Sequence, residues 1–442
     1  MKALLPACAI VACLSSAAYS QSELDSILSQ VTKVKGLKLV SSSTPQPPTD
    51  TACRAQLGYP CYSPQEMQNA YSVTPLLQAG YNGAGQTIVI IDSFGSPTIE
   101  NDLKVFDAGY GLPDPPSFTV ISPLGTVPFN PLSKAHVDWA LETTLDVEWA
   151  HAMAPGAAIV LLTSPVNETQ GIQGLPEFLS LEQYALDHHL GQIISQSWGT
   201  AENTLFTPAG LQVMNSFQTL YEKAAQQDVT VLASSGDTGT SNIETNGQPY
   251  SSPTVDFPAS SPFVTAVGGT SLSADTSGTY QSEIVWNNST GASGGGVSQQ
   301  FGEPSFQNSL PASVQATLAG HRGIPDVAYN ADPNTAVLVY ASFYLDPKYH
   351  GYYAIGGTSE GAPQWAGMIA DLNQLNGHPL GFLNPLLYTA AANSTQAFHD
   401  VTTGNNGFNG IQGYSAAAGW DFATGWGTPI VSGLVAQLSA QP

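Results

Sequence analysis

The sequence predicts an α/β fold in which a mainly parallel central sheet carries helices on both faces. Five runs of apolar and β-branched residues, each ending in small or polar residues, have the length and composition of strands buried on both faces. Three stretches with helical periodicity lie between or after these runs. Strands that alternate with helices favour parallel pairing, because each crossover helix packs on a face of the sheet. The predicted strands span 86–93, 157–164, 192–198, 230–236 and 264–270, and the predicted helices span 137–153, 211–227 and 361–375.

The composition is that of a folded protein with few charges. Apolar residues make up 42% of the 442 residues and charged residues only 10%, which excludes a disordered chain. Acidic residues outnumber basic ones by 33 to 10, and the net charge approaches zero near the sequence pI of about 4.3. Because few Lys and Arg side chains remain to repel one another in acid, we expect acid tolerance. The absence of a basic stripe excludes nucleic acid as a partner.

The first 20 residues have the pattern of a secretory signal peptide. Lys2 supplies the positive charge, residues 3–12 are mostly apolar, and residues 18–20 resemble a cleavage site. We therefore expect a secreted, extracellular protein. The alternative, a membrane anchor, is disfavoured because this apolar stretch is shorter than a membrane span requires. No later segment is long and apolar enough to cross a bilayer, so we expect no membrane partner.

Residues 21–65 are predicted to form a polar leader, and residues 66–442 the main domain. The run 41–51 is rich in Pro, Ser and Thr, which is typical of a flexible arm. After removal of the signal peptide the only cysteines are Cys53 and Cys61. Because they are close together and in an oxidising compartment, we expect one short-loop disulfide, with metal binding as the weaker alternative.

A serine lies in a glycine-rich turn directly before the third predicted helix. Residues 356–363 place Ser359 where free backbone N–H groups and the helix dipole favour negative charge. A developing oxyanion could be held there, which makes Ser359 a candidate nucleophile. The alternative is an ordinary N-cap, because serine is common at helix starts. A nucleophilic role therefore requires a group that activates the hydroxyl.

Two carboxylates on the first predicted helix are the candidate activating group, since none of the eight histidines lies in a glycine-flanked motif expected of a histidine base. Glu142 and Asp146 are four residues apart and so lie on one helix face. If partly buried, the pair would share one proton in mild acid, so that one carboxylate accepts a proton while its partner orients it. Asp138 on the same stripe is a possible third member.

The alternative for Glu142 and Asp146 is an acidic helix face in water. Large apolar side chains surround the pair and argue against that alternative, because they leave little solvated face. These side chains are Trp139, Leu141, Leu145, Val147 and Trp149.

A third acid, Asp237, follows the predicted strand run directly. Active sites of α/β folds lie at the carboxyl ends of strands, which is where Asp237 is expected. A neutral carboxylic acid there can donate a hydrogen bond to an oxyanion, whereas an ionised one would repel it. The alternative is a simple turn, because Gly-Asp-Thr-Gly is good turn chemistry.

Taken together, these segments resemble the sedolisin family of serine-carboxyl peptidases, whose fold is subtilisin-like. The resemblance runs from about residue 71 to residue 429, and many ordered matches make it far more specific than any single motif. The matching stretches are 85–92, 142–156, 195–199, 235–237, 266–270, 293–296 and 357–359.

The resemblance implies a role for each candidate residue. Ser359 is the implied nucleophile, Glu142 the general base, Asp146 its partner and Asp237 the oxyanion-hole donor. The implied protein is a single subtilisin-like catalytic domain, a serine-type endopeptidase active in acid on protein or peptide substrates. We expect it to act as a monomer.

The resemblance also implies one structural calcium ion near the C-terminus. Hard oxygen ligands suit Ca²⁺. The ligands expected from the matching segments are the carboxylates of Asp400 and Asp421 and the backbone carbonyls of Val401, Ala417 and Gly419. Without the family match, two loop aspartates that cap turns would be the simpler interpretation. Ala417 stands where the family commonly has glycine.

Two departures from the family pattern leave other hypotheses open. Sedolisins usually carry a large prosegment, whereas only residues 21–65 precede the predicted domain, so a catalytically silent calcium-stabilised binding protein on this scaffold is one alternative. A neutral-pH hydrolase that uses Asp92 and a histidine is another, although we interpret Asp92 as a strand-end residue without a primary role. Glu360 stands where a small or apolar residue is common, and we expect it to face solvent or to tune substrate charge.

Overall fold

The computed structural model describes residues 37–42 and 46–438. The predicted signal peptide and residues 21–36 of the predicted leader lie outside the described residues. Among the helices of these two ranges, none combines the length and the apolar character that a membrane span needs.

The secondary structure alternates between strands and helices through most of the described chain. The strands are β1 (Lys38–Ser42), β2 (Cys61–Tyr62), β3 (Thr87–Ser93), β4 (Phe118–Ile121), β5 (Ala158–Ser164), β6 (Ile193–Gln196), β7 (Thr200–Ala201), β8 (Thr230–Ser234), β9 (Asp256–Phe257), β10 (Thr265–Ala274), β11 (Tyr280–Val285), β12 (Asn287–Asn288), β13 (Gly291–Ala292), β14 (Gly296–Gly302), β15 (His321–Ile324), β16 (Val327–Asn330), β17 (Ala336–Ala341), β18 (Gly351–Ile355), β19 (Phe398–His399) and β20 (Thr428–Pro429). The α-helices are α1 (Asp50–Leu57), α2 (Pro64–Ala70), α3 (Thr74–Gln78), α4 (Ile99–Tyr110), α5 (Lys134–Met153), α6 (Leu175–Asp187), α7 (Pro208–Gln226), α8 (Ala312–Leu318), α9 (Gly361–Asn376), α10 (Asn384–Asn393) and α11 (Val431–Leu438).

The central sheet has eight strands in the order β11-β10-β8-β6-β3-β5-β4, with β16 paired to β10. Every pairing in it is parallel except that of β10 with β11. The predicted mainly parallel sheet is therefore confirmed. Parallel strands place their carboxyl ends along one edge of the sheet, and the loops at that edge are where a site is expected.

Helices cover both faces of this sheet, as predicted. Successive side chains of a strand point to opposite faces. Ile88 and Ile90 of β3 belong to the apolar core that includes α5 and α9, whereas Val89 and Ile91 belong to the core that includes α6 and α7. All four side chains are fully buried, which explains why the sequence of β3 is continuously apolar at these positions.

The structure adjusts the predicted bounds of three elements. Helix α5 begins earlier than predicted because the Ser133 side chain accepts a hydrogen bond from the backbone N–H of His136 and caps the helix. Strand β10 runs further, to Ala274, because its last five residues pair with β11. Strand β6 ends at Gln196, so Ser197 belongs to the loop at the carboxyl edge of the sheet.

The described part of the predicted leader is folded against the domain, which differs from the expected flexible arm. Strand β1 pairs antiparallel with β18 in a second sheet of order β1-β18-β17-β2, and Leu37 and Val40 are buried. Cys53 of α1 and Cys61 of β2 form the expected disulfide, with their Cα atoms 5.8 Å apart. Strand pairing and apolar burial therefore order this part of the chain.

Helices α5 and α9 approach each other closely at Gly367. A Cβ atom on Gly367 would lie 2.5 Å from Met153 Cβ and 2.9 Å from the carbonyl oxygen of Ala150. Helix α5 carries Glu142 and Asp146, and α9 follows Ser359. The glycine therefore helps to set how near the predicted base lies to the predicted nucleophile.

We predict that Gly367→Ala lowers the free energy of unfolding by about 1–3 kcal/mol, because the methyl group forces the two helices apart. Chemical denaturation measures the change. Gly302→Ala is the matched control, since the nearest atom to its added Cβ is 3.9 Å away. Equal stability of the two variants would contradict the close approach of α5 and α9.

Candidate active site

The four predicted catalytic residues lie in or beside one cleft at the carboxyl edge of the central sheet. The cleft has a volume of about 300 Å³, and Glu142, Asp237 and Ser359 line it. Asp146 lies one helical turn after Glu142 on α5, fully buried. The structure thus brings together side chains that are separated by more than 200 residues in the sequence.

Ser359 lies in a short 3-10 turn, Thr358–Glu360, that leads directly into α9. Gly357 precedes the turn with a φ of 127°, a backbone conformation that favours glycine. A Cβ on Gly357 would lie 2.8 Å from Asp237 Oδ2, so glycine also allows the carboxyl group to approach. The local sequence therefore fixes both the turn and its distance from Asp237.

Asp237 is joined to the turn that carries Ser359. Its Oδ1 accepts hydrogen bonds from the backbone N–H and the hydroxyl of Thr358, both at 2.8 Å. Desolvation by the surrounding protein raises the pKa of Asp237, although the two hydrogen bonds from Thr358 lower it. A raised pKa favours the neutral acid, the form that can donate a hydrogen bond into the cleft.

Glu142 is the predicted general base for Ser359. Burial raises the pKa of Glu142 to about 8, and the nearby Ser359 side chain opposes the shift. Charges on Asp92 and Asp237 raise the pKa of Glu142 further. Ser359 and Glu142 line the same cleft, which is the placement that a serine nucleophile with a carboxylate base requires.

Asp146 is oriented by Ser197, which follows strand β6. The Ser197 hydroxyl donates to Asp146 Oδ1 at 2.7 Å and lies 3.3 Å from the backbone carbonyl of Ser359. Burial, and then repulsion from Asp92 and Glu142, raise the pKa of Asp146 well above its usual range. Because the buried acids repel one another, they cannot all ionise together, and the group retains protons.

Asp92 belongs to the same electrostatic cluster. It ends β3 with no solvent exposure, and burial raises its pKa to about 7. Its charge raises the pKa of both Glu142 and Asp146. Asp138 instead pairs with Lys134 at the surface end of α5 and also lines the cleft.

Histidine does not take part in this arrangement. None of the described residues that line the cleft is a histidine. His136 stacks on Phe94 with ring centroids 4.1 Å apart, and buried His151 lies 2.8 Å from the carbonyl of Pro113.

The wall of the cleft near Asp237 is also acidic. Asp256 Oδ1 accepts a hydrogen bond from Asn242 at 2.6 Å, and burial raises the pKa of Asp256 to about 7. Burial raises the pKa of Glu168 to about 8, and its Oε1 has no hydrogen-bond partner among the described residues. Below neutral pH this wall is therefore largely uncharged.

Sequence reasoning gave no role to Ser197, Thr358 or Asp256. Ser197 carried a usable signal, because it follows an apolar run and so lies at the carboxyl end of a strand. Thr358 was part of the glycine-rich motif. Asp256 carried no signal, since its place in the cleft depends on the path of the loop before β9.

Glu360 differs from the expectation that it faces solvent. Its side chain has no solvent exposure, and its Oε1 accepts a hydrogen bond from Asn330 at 3.0 Å. The turn that presents Ser359 to the cleft directs the next side chain into the core, which the sequence pattern alone did not reveal.

The predicted calcium ligands lie away from the cleft, around the loop 417–421. Asp400 Oδ2 accepts from the N–H of Gly419 at 3.0 Å, and Asp421 Oδ2 accepts from the N–H of Ala417 at 2.9 Å. Burial raises the pKa of Asp421 to about 6. Val401 is buried beside Asp400. Two carboxylates and the carbonyls of one short loop form an oxygen donor set that fits Ca²⁺.

Searches of known proteins find relatives over most of the chain. A model of the Subtilase family matches residues 143–427. Kumamolisin from Bacillus sp. (strain MN-32) is 37% identical over 366 residues, which cover 80% of this chain and 59% of that protein. The solved structure of Pseudomonas sedolisin, a serine-carboxyl proteinase complexed with two molecules of pseudo-iodotyrostatin, has 30% identity and a TM-score of 0.71, and the match covers 86% of this chain and 98% of that chain.

The chain belongs to the sedolisin group of the subtilase family. The predicted subtilisin-like fold is thereby confirmed. Sedolisin from Pseudomonas sp. (strain 101) is 30% identical over 382 residues, which cover 78% of this chain and 61% of that protein. Tripeptidyl-peptidase 1 of Dictyostelium discoideum is 29% identical over 376 residues, or 81% of this chain and 55% of that protein. The sedolisin-family chain therefore spans about three fifths of the length of these curated relatives.

We predict that this sedolisin-family protein loses stability as pH rises from about 5 to about 8. Buried carboxyl groups with pKa values of about 7 to 8, including Asp92, Asp256 and Glu283, are neutral in the folded chain but ionised in the unfolded chain at neutral pH. Their contribution is full in acid and is lost as pH rises through these values. Buried His151 and half-buried His399, with pKa values of about 4, act in the opposite sense but are outnumbered. Denaturation at a series of pH values measures the trend.

Asp371→Asn isolates one such group, because both Asp371 oxygens are buried without a partner among the described residues and burial raises its pKa well above the usual range. The gain in stability of the variant over the parent should grow as pH rises from about 4, where the unfolded carboxyl group begins to ionise, to about 8. Asp275→Asn is the control, since Asp275 is exposed and hydrogen bonds from Ser277 lower its pKa. A gain for Asp371→Asn that is equal at both pH values would contradict the assignment.

Proposed function

We propose that this chain is a secreted serine-carboxyl peptidase that hydrolyses peptide bonds in acid through an acyl-enzyme on Ser359. The observation that carries the proposal is the placement of Ser359 and Glu142 in one cleft whose described lining residues include no histidine. Membership of the sedolisin group supports it. The signal-like pattern of residues 1–20 supports secretion.

The first step is attack by Ser359 on the substrate carbonyl. Glu142 in its ionised form takes the hydroxyl proton while the serine oxygen bonds to the carbonyl carbon. The resulting tetrahedral intermediate collapses as the C–N bond breaks, and the proton on Glu142 passes to the leaving amine. Water then attacks the ester with Glu142 again as base, which releases the acid and restores Ser359.

Asp146 orients Glu142 and supplies the shared proton. The Ser197 hydroxyl orients Asp146 and also contacts the backbone carbonyl of Ser359. One side chain therefore positions both Asp146 and the residue that carries the nucleophile. Mutual repulsion lets one member ionise only while the other stays protonated. Because burial raises the pKa of both members, the singly ionised pair that supplies the base is a minority form in acid.

Asp237 stabilises the oxyanion as a neutral donor. Its Oδ1 is occupied by two hydrogen bonds from Thr358, so a proton on Oδ2 can face the substrate oxygen. Ionisation of Asp237 would replace this donor by a repelling charge. Activity should therefore fall as pH rises, both when Asp237 ionises and when the pair loses its second proton.

The substrates we propose are proteins or peptides cut internally by a monomeric enzyme. Release of tripeptides from an end is a second candidate, favoured by the similarity to proteins named tripeptidyl-peptidase. Mapping the fragments of a peptide library at pH 4 separates the two, because a tripeptidyl-peptidase yields products in steps of three residues.

We further propose one structural Ca²⁺ ion held by Asp400, Asp421 and the carbonyls of Val401, Ala417 and Gly419. When bound, the ion would tie the loop 417–421 to Asp400, and it takes no part in the chemistry at Ser359. The support is the oxygen donor set. No Lys or Arg of the described residues forms an ion pair with Asp400 or Asp421.

For the catalytic residues, we predict that Ser359→Ala and Glu142→Gln each lower kcat at pH 4 by at least about a hundredfold, because a nucleophile or its base is lost. Asp237→Asn keeps a hydrogen-bond donor and should retain more activity than Asp237→Ala. Cleavage of a denatured protein measures these rates. His136→Ala is the matched control and should keep parental activity, since His136 is not among the cleft-lining residues.

Two outcomes would reject the assignment. Undiminished cleavage by Ser359→Ala or Glu142→Gln would remove the proposed roles, and loss of activity in His136→Ala with a profile rising towards pH 8 would favour a histidine-dependent hydrolase. A parent that neither cleaves nor reacts with a peptide aldehyde at acid pH would favour a catalytically silent binding protein.

For calcium, we predict that a chelator lowers the melting temperature and that added Ca²⁺ restores it, because an ion bound only by the folded state stabilises that state. Asp421→Asn and Asp400→Asn should lose this response. Mg²⁺ should not replace Ca²⁺, since it demands stricter geometry at shorter distances. A parent that ignores both chelator and calcium would contradict the site.

A further inference from the structure

Glu360 follows Ser359 directly and shares its 3-10 turn, yet its side chain is fully buried. Glutamate is almost never fully buried unless it is paired. The groups that act on its carboxyl are Asn330, Gln364 and Asp332, and none of them is a cation. A buried acid without a counter-ion beside the nucleophile requires an explanation.

The Glu360 side chain joins the turn to the central sheet. Its Oε1 accepts from Asn330 Nδ2 at 3.0 Å and lies 3.4 Å from Gln364 Nε2. Asn330 ends β16 and is itself fixed, because its Nδ2 donates to the carbonyl of Thr335 at 2.7 Å and its Oδ1 accepts from the N–H of Leu272 at 3.1 Å. The contact therefore ties the turn to a rigid support.

Ser359 is consequently held from two sides. Ser197 contacts the Ser359 carbonyl from the loop after β6, and Glu360 anchors the next residue of the turn to the end of β16. A shift of about 1 Å in a reacting group can cost about a hundredfold in rate. Loss of either contact would therefore act on the chemical step.

We propose that Glu360 is a positioning residue whose neutral carboxyl group clamps the Ser359 turn to Asn330 and Gln364, and whose ionisation loosens that clamp. The role in catalysis rests on the proposed function of Ser359, whereas the clamp itself does not.

The surroundings favour the neutral form. The titratable groups that face Glu360 are Tyr329 of β16, which stacks on Tyr71, and Asp332, with Glu283 behind Tyr71. All are acidic or neutral, so a charge on Glu360 would be unopposed. The N-terminus of α9 stabilises a negative charge by less than burial of an unpaired ion destabilises it. Burial accordingly raises the pKa of Glu360 well above its usual range.

Two variants separate positioning from titration. Glu360→Gln keeps an acceptor oxygen but cannot ionise, so kcat at pH 4 should stay within about twofold of the parent, while the turn keeps its protection from hydrogen exchange as pH rises. Glu360→Ala removes the anchor, so kcat should fall about tenfold or more with KM nearly unchanged. Glu182→Gln is the matched control, because Glu182 is equally buried on α6, where Tyr221 contacts it.

Hydrogen exchange of the backbone over residues 356–366 provides a readout that needs no catalysis. Protection of these amides, taken as exchange corrected for its intrinsic dependence on pH, should fall in Glu360→Ala, and in the parent as pH rises, but not in Glu182→Gln relative to the parent at the same pH. Unchanged protection and unchanged kcat in Glu360→Ala would overturn the clamp. Protection that falls with pH as much in Glu360→Gln as in the parent would overturn the dependence of the clamp on the proton, and this comparison decides that part of the proposal if the alanine variant does not fold. An inactive parent with the predicted exchange pattern would refute the peptidase proposal while leaving the clamp intact.

Discussion

The cleft depends on carboxyl groups without cationic partners, of which Asp146 is fully buried, Glu142 is half-buried and Asp237 is exposed. In the described residues no Lys or Arg forms an ion pair with Glu142, Asp146 or Asp237. Desolvation and mutual repulsion therefore keep protons on groups that would be ionised in water at the same pH. The same constraint explains why acid suits both the stability of the chain and the chemistry proposed for Ser359.

The scaffold brings these groups together through two packing relations. Parallel strands β3, β6 and β8 end at one edge of the sheet and deliver Asp92, Ser197 and Asp237 to it. Helices α5 and α9 pack closely at Gly367 and bring Glu142 towards the turn of Ser359. Ser197 and Asp237 lie directly after β6 and within three residues of the end of β8, respectively. The distances in the cleft are therefore set by the core.

The sequence allowed the sheet, its main helices and the four catalytic candidates to be predicted, because these follow from local patterns. The apolar run of β3 and the four-residue spacing of Glu142 and Asp146 are examples. What could not be predicted depends on contacts between distant segments. Burial of Glu360 requires Asn330 to lie behind the turn, and the order of the leader requires β1 to pair with β18. No periodicity within either segment encodes such partners.

The central claim is that Glu142 and Asp146 retain a shared proton at a pH where isolated carboxyl groups have lost theirs. Infrared absorption of protonated carboxyl groups tests it directly, by difference between the parent and the Glu142→Gln and Asp146→Asn variants from pH 4 to pH 7. The account predicts a protonated carboxyl band in the difference spectrum for either substitution, and this band should persist above the usual carboxyl pKa range. A parent spectrum at pH 6 that neither substitution alters would show the pair fully ionised and would contradict the account.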